Sequence, residues 1–175
     1  MPSNIEIKAR LRDRPAALAT AARLSGSAPE TIQQEDVFFV TDRARLKLRI
    51  LAPDRGELIR YERTNIAEVR RSQYSIACTS DPQILLEILS ATLERAGTVK
   101  KTRTLYMAGQ TRIHIDLVEG LGDFLELEVV LRLGQSEAEG KSIAAALLSE
   151  FGIADEQLIA EAYVDLLSAN QSQPS

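Results

Sequence analysis

Five short stretches of this chain place polar or ionisable side chains at every second residue. Arg45, Lys47 and Arg49 alternate with Leu46, Leu48 and Ile50, and Lys101 and Arg103 alternate with Thr102 and Thr104. Asn4, Glu6, Lys8 and Arg10 alternate with Ile5, Ile7 and Ala9. Arg112, His114 and Asp116 alternate with Ile113, Ile115 and Leu117, and Glu126 and Glu128 with Leu125, Leu127 and Val129. Successive side chains of a strand point to opposite sides, so each stretch reads as a strand with one polar face. A half-exposed sheet with its polar side to water is the ordinary outcome of such patterns. A row of Arg, Lys and Arg on one face repels itself, however, and a water-facing surface has no need of it. A bound polyanion would supply the need. The carboxylates of Glu6, Asp116, Glu126 and Glu128 fall on the corresponding faces, which suits a hard-cation site beside an anion site. Mg2+ takes a few carboxylate oxygens and completes its shell with substrate phosphate oxygens. Arg and Lys neutralise the remaining phosphate charge. The polar faces are therefore expected to point inward, with helices covering Ile5, Ile7, Leu46 and Leu48 outside.

The elements that position these residues follow from the same periodicities. Strands are expected at 4–10, 33–40, 45–51, 57–63, 70–77, 99–107, 112–118 and 124–131. A short Ala-rich helix at 16–24 opens at Asp13-Arg14-Pro15, with proline in its first turn. A second opens at Asp81-Pro82, carries Leu85, Leu86, Leu89 and Leu93 at helical spacing, and stops at Gly97. Two more are expected at 136–151 and 155–167. Hairpin-length turns join the third strand to the fourth, the sixth to the seventh and the seventh to the eighth, so the sheet is mainly antiparallel. Eight such strands can close into a small barrel. The fold class is α+β: an eight-stranded antiparallel closed β-barrel with surrounding helices.

Composition narrows the function. The 175 residues suit a single domain spanning 1–168, with 169–175 as a disordered tail. With 21 basic and 25 acidic residues the net charge is -4, so nothing draws the whole chain to nucleic acid or a membrane surface. One cysteine and one histidine exclude an intramolecular disulfide and a Cys- or His-rich metal centre. There is no signal-peptide-like run and no long apolar stretch, so a cytoplasmic location is expected. His114 is expected to be structural or to touch substrate rather than metal, because the site is oxygen-rich. Phe38, Phe39 and Tyr163 read as packing residues, and Cys78 as a small buried hydrophobe. Arg70-Arg71 reads as a solvated turn, and Asp116 has the alternative of pairing with Arg112.

From Asn4 to Leu167 the sequence resembles the CYTH superfamily, the triphosphate tunnel metalloenzymes. That family includes class IV adenylyl cyclases, thiamine triphosphatases and inorganic triphosphatases. Its opening signature, ExExK, falls on Asn4-Ile5-Glu6-Ile7-Lys8, with asparagine in place of the first glutamate. Further matches are Asp36 with Phe38-Phe39, the run Arg45 to Arg49, Tyr61 with Arg63, Lys101-Thr102-Arg103, Asp116, the pair Glu126 and Glu128, and the closing Ala162 to Leu167. Their order and spacing together are specific. The resemblance implies a tunnel that binds a small-molecule triphosphate (tripolyphosphate, thiamine triphosphate or ATP) with Mg2+ or Mn2+. It implies metal ligation by Glu6, Glu126 and Glu128 with Asp116 nearby. It implies phosphate binding by Lys8, Arg45, Lys47, Arg49, Arg63, Lys101 and Arg103, to which the alternation adds Arg10 and Arg112 as bases on the same faces. Lys8, Arg49 and Asp116 are the catalytic candidates. Asn4 removes one negative charge from the metal site. The leading expectation is hydrolysis at the terminal phosphoryl group. The alternatives are class IV adenylyl cyclase chemistry, giving cyclic AMP and pyrophosphate, and a non-catalytic polyphosphate- or nucleotide-binding module. A monomer and a homodimer are both compatible with the sequence.

Overall fold

The computed structural model describes residues 4–42, 44–62 and 73–171. In chain order these form β1 (Asn4–Arg10), α1 (Arg14–Ser25), β2 (Glu30–Phe39), β3 (Arg45–Ala52), β4 (Arg55–Glu62) and β5 (Gln73–Thr79). There follow α2 (Pro82–Thr92), β6 (Arg95–Ala108), β7 (Thr111–Val118), β8 (Gly122–Val130), α3 (Glu137–Glu150) and α4 (Tyr163–Gln171). The eight strands make one sheet in the order β1-β8-β7-β6-β2-β3-β4-β5, with every pairing antiparallel. Among the described residues no ladder joins β5 to β1. Over the described residues the structure is thus an eight-stranded antiparallel sheet whose closure into the expected barrel by hydrogen bonds is not seen, with β1 bridged at its outer edge by Leu158 and Ile159. It still wraps round a cavity, because all eight strands contribute lining residues.

The helices cover the outer face in the manner the alternation requires. Val37, Phe39 and Leu48 are buried under Leu85, Leu86 and Leu89 of α2 and Leu93 at its C-cap, with Leu46 packed alongside. Ile5 and Val129 are buried with Ala144 of α3, and Ile7 packs against this group. Ala17 and Ala21 of α1 lie on Ile113, Ile115, Leu125 and Leu127. Local signals start each of these helices. Asp13 and Asp81 accept backbone N–H bonds as N-caps ahead of a proline, and Ser136 with Glu139 forms a capping box.

The structure differs from the sequence expectation at several points, among them earlier starts of β2 at Glu30 and of β6 at Arg95. The second helix ends at Thr92, and Gly97 lies within β6 beside a register shift against Phe38 and Phe39. A side chain at Gly97 would meet Val164 at 2.8 Å, so this glycine permits close approach rather than stopping a helix. The expected helix at 155–167 is instead a single 3-10 turn at Asp155–Gln157, an extended link, and α4. Helix α4 continues to Gln171, past the expected start of the tail. Cys78 is exposed on edge strand β5, not buried. Arg63, Arg70 and Arg71 lie outside the described residues.

The position of α4 decides the shape of the interior. Ala162, Tyr163 and Val164 are buried against Phe38, Val99, Val118 and Phe124. Those four residues share the inward face of their strands, so the start of α4 forms a floor at one end of the cavity.

Helix α3 presses on the first strand through Gly140. A Cβ there would meet Leu131 Cδ2 at 2.5 Å and Ile5 Cγ1 at 2.7 Å. Alanine in a helix gains up to about 1 kcal/mol over glycine, whereas overpacking costs about 1–3 kcal/mol. Gly140→Ala should therefore lower stability, seen as a lower denaturant midpoint. A raised midpoint would mean that α3 is not seated tightly on β1.

Candidate functional site

The cavity is about 530 Å3, within the range of about 300–1,000 Å3 typical of small-molecule sites. Glu6 and Lys8 reach it from β1, Lys47 and Arg49 from β3, Lys101 and Arg103 from β6, Arg112 and His114 from β7, and Glu126 and Glu128 from β8. These are the polar faces read from the sequence. Arg10 lies elsewhere: it is exposed, with its guanidinium 5.0 Å from the Phe124 ring centre. Arg45 does not line the cavity either; it donates to Asp165 of α4 at 2.7 Å.

Two buried carboxylates organise the bases. Asp36 of β2 is 3 % exposed. It accepts from Lys47 Nζ at 2.6 Å, from Arg49 Nε at 3.1 Å, and from Gln34 Nε2 at 3.1 Å. Asp116 of β7 is 0 % exposed. Its partner across the ladder, Arg103, holds it in a bidentate pair at 2.7 Å on each arm. Lys101 Nζ donates to it at 3.0 Å, and the Tyr163 hydroxyl at 3.2 Å. Neither row of like charges is therefore unrelieved, since each has a counter-ion on the neighbouring strand. That pairing is invisible along a single strand. Arg49 also meets Glu57 at 3.4 Å and Arg103 meets Glu126 at 3.2 Å, so the four bases are matched by four carboxylates, and what they offer an anion is their remaining N–H donors.

Protonation states follow from these contacts. Burial alone would raise the Asp36 carboxyl, but Lys47, Arg49 and Lys101 outweigh it and hold it far below the usual range. Burial is opposed in the same way at Glu126, where Arg103, Lys101 and Lys8 keep the carboxyl well down. Burial lowers Lys47 to about 8, with Arg49 and Lys101 adding to the effect and Asp36 opposing it. Burial also lowers His114, aided by Arg103, which favours the neutral imidazole.

Tyr163 does more than pack. Its ring lies 4.3 Å from Lys8 Nζ and 5.1 Å from Lys101 Nζ, and burial with the nearby Glu126 and Asp116 charges pushes its hydroxyl well above the usual range. The neutral phenol can thus donate to Asp116 while its ring faces two cations. A tyrosine ahead of a C-terminal helix gave no sign of this from spacing.

The acidic side of the cavity is built on β1 and β8. Glu6 lies opposite Glu128 in the ladder, and Lys8 opposite Glu126. Glu126 accepts from Arg103 at 3.2 Å, and Glu128 pairs with Arg112 at 3.1 Å. Asn4 Nδ2 also donates to Glu128. Asp116 is absent from the cavity lining. Among the described residues no three His, Cys, Asp or Glu side chains stand together as a ready metal site. A cation that draws only one or two carboxylates from the protein and the rest from phosphate still fits this wall.

The CYTH domain family model matches residues 3–163. No curated protein matches the chain significantly. Among solved structures, the PH1012 protein of Pyrococcus horikoshii superposes with a TM-score of 0.83 at 23% identity, covering 94% of this chain and 99% of its own. A candidate adenylate cyclase of Vibrio parahaemolyticus gives 0.75 at 20% identity, covering 95% and 98%. A candidate adenylyl cyclase of Hippeastrum, described as having a dominant triphosphatase activity, gives 0.70 at 18% identity, covering 98% of each chain. At these identities the likeness is one of fold.

If Lys47 meets an anion, its lowered position makes that binding pH-dependent. As pH rises through about 8 the buried Lys47 gives up its proton in the free protein, and an anion held by its ammonium would have to restore it. Affinity for tripolyphosphate should fall by up to about tenfold per pH unit above that point. Lys47→Arg should flatten the curve, because arginine stays charged. Calorimetric titrations from pH 7 to 9.5 on both proteins (about the range over which such a lysine titrates) check this; parallel curves would show that Lys47 does not meet the anion.

Proposed function

Since the chain belongs to the CYTH family, we propose that it binds a small-molecule triphosphate in this cavity and hydrolyses it at the terminal phosphoryl group with a divalent cation. The observation that carries the reading is the division of one cavity into a wall of paired bases and a wall of carboxylates. The fold is shared with solved structures of candidate adenylyl cyclases, and the Hippeastrum one is described as having a dominant triphosphatase activity.

Each part of the lining has a role in this reading. Lys47 and Arg49 hold phosphate oxygens, with Asp36 behind them fixing both heads. Lys101 and Arg103 do the same from β6, with Asp116 as their buried counter-ion. Asp116 is thus a positioning residue in the proposal. Lys8 projects between Tyr163 and the carboxylates of β8, where it can meet the charge that grows on the transferred group. Glu6 and Glu128 would hold Mg2+ or Mn2+, which when bound draws charge from the phosphate oxygens. Water adds to the terminal phosphorus, the bridging P–O bond breaks, and orthophosphate and a diphosphate leave.

A second reading, the cyclase reaction, is favoured by the other side of the cavity. Ile59 of β4 and Ile76 of β5 stand in register beside Lys47, and Tyr61 lines the same wall. Such a surface suits the organic part of a nucleoside triphosphate. The ribose 3′-hydroxyl would then attack the α-phosphorus and release pyrophosphate.

Purified protein incubated with Mg2+ or Mn2+ and, separately, tripolyphosphate, thiamine triphosphate and ATP separates these outcomes. Orthophosphate release is expected, lost in EDTA and reduced by about a hundredfold or more in Glu128→Gln. Cyclic AMP from ATP would select the second reading. Saturable binding without any product would make the chain a binding module, and activity unchanged in EDTA would remove the cation from the proposal.

A further inference from the structure

Buried polar atoms in folded proteins are nearly always hydrogen-bonded, so each exception asks for a reason. Among the described residues six buried side-chain N or O atoms have no hydrogen-bond partner. Three of the six belong to two residues that line the cavity: Asn4 Oδ1, His114 Nδ1 and His114 Nε2. Asn4 is 8 % exposed and His114 5 %. Both approach the same carboxylate. Asn4 Nδ2 donates to Glu128 Oε1, and His114 Nε2 stands 3.5 Å from Glu128 Oε2.

That last separation is informative. It is longer than the usual N–H···O range of about 2.7–3.2 Å. Two ligands each about 2.1 Å from one metal ion lie about 3.0 Å apart at the octahedral angle of Mg2+ or Mn2+ and about 3.4 Å apart at a tetrahedral one. His114 and Glu128 are thus spaced as neighbouring ligands are, with an unpartnered amide oxygen close by. The imidazole is flanked in the ladder by Leu105 and Glu126, and His114 and Glu128 both line the cavity.

We propose that His114 is a ligand of the divalent cation in this site, with Glu128 and the Asn4 amide oxygen, and that the site therefore selects a transition ion such as Mn2+ over Mg2+. The inference rests on the cation-dependent reading above. It differs from the sequence expectation, in which His114 was structural or a substrate contact. The chemistry of the donors sets the preference. Asn4 supplies a neutral oxygen where a glutamate would add a charge, and His114 supplies nitrogen. Mg2+ is held by charged oxygens, whereas imidazole suits ions further along the first transition row.

The test reads the metal, not turnover. Chain without an added histidine tag is loaded with Mn2+, with and without tripolyphosphate, and its pulsed electron paramagnetic resonance is recorded. His114 is the only histidine in the sequence, so imidazole-nitrogen modulation on the bound ion must come from it. Modulation is expected. Calorimetry should show Mn2+ bound more tightly than Mg2+ by about tenfold or more, with His114→Phe losing at least that factor. Mn2+ that shows no imidazole nitrogen in either sample, or that does not bind in either, overturns the proposal. The first measurement needs no variant, so a misfolded His114→Phe leaves it decisive. Nitrogen modulation without hydrolysis of any triphosphate would sink the proposed activity and leave the ligand assignment standing. Hydrolysis without nitrogen modulation would do the reverse.

Discussion

A carboxylate can be taken out of water only if cations and donors replace its hydration. Asp36 and Asp116 meet that condition by each holding two bases, and the interior is arranged around those two groups. The bidentate Arg103 pair fixes both the register of β6 against β7 and the direction of the guanidinium. Lys47 and Arg49 are fixed in the same way from β2. A cavity full of mobile lysine and arginine side chains would lose much of its binding energy to ordering them. Here the carboxylates have ordered them beforehand.

The same arrangement explains why the sheet must wrap. Its inner face carries charge in the middle, and a flat sheet would leave those charges in water with no pressure to pair. Helices α1, α2 and α3 bury the outer apolar face and leave the polar one to enclose itself. The floor made by Ala162, Tyr163 and Val164 then excludes water from one end. Tyr163 joins the two requirements. Its ring completes an apolar cluster with Phe124 at 4.8 Å, while its hydroxyl and ring face the charged network. Packing of the C-terminal helix and placement of Lys8 and Lys101 therefore depend on one side chain.

Such an interior is not arranged for stability alone. Replacing buried charge clusters by apolar groups is often neutral or stabilising, so a charged cavity is in keeping with the proposed binding of an anion and a cation. An anion with more than one charged oxygen would offset the burial, and the added repulsion from Arg49 and Lys101, that hold Lys47 below its ordinary range. A cation on the β1 and β8 wall would relieve the crowding of Glu6, Glu126 and Glu128. Binding of either would stabilise the fold by mass action.

The sequence determined the strands and their faces. Period-two alternation is a local property, and it placed β1, β3, β7 and β8 within a residue or two and identified the side chains that share the cavity. Helix starts were legible for the same reason, since Asp13, Asp81 and Ser136 act on neighbours three residues away. What lies across strands was not local. Asp36 and Asp116 became counter-ions only when pairing set Lys47, Arg49, Lys101 and Arg103 against them. Arg10 and Arg45 kept the right phase and still left the cavity, because Phe124 and Asp165 claimed them near its ends. Gly97 was read as a helix stop from its neighbours, although its purpose is to admit Val164 from far along the chain. The break before α4, which turns one expected helix into a 3-10 turn and a floor for the cavity, is likewise fixed by contacts with strands over thirty residues away, and no periodicity in a single segment encodes such a contact.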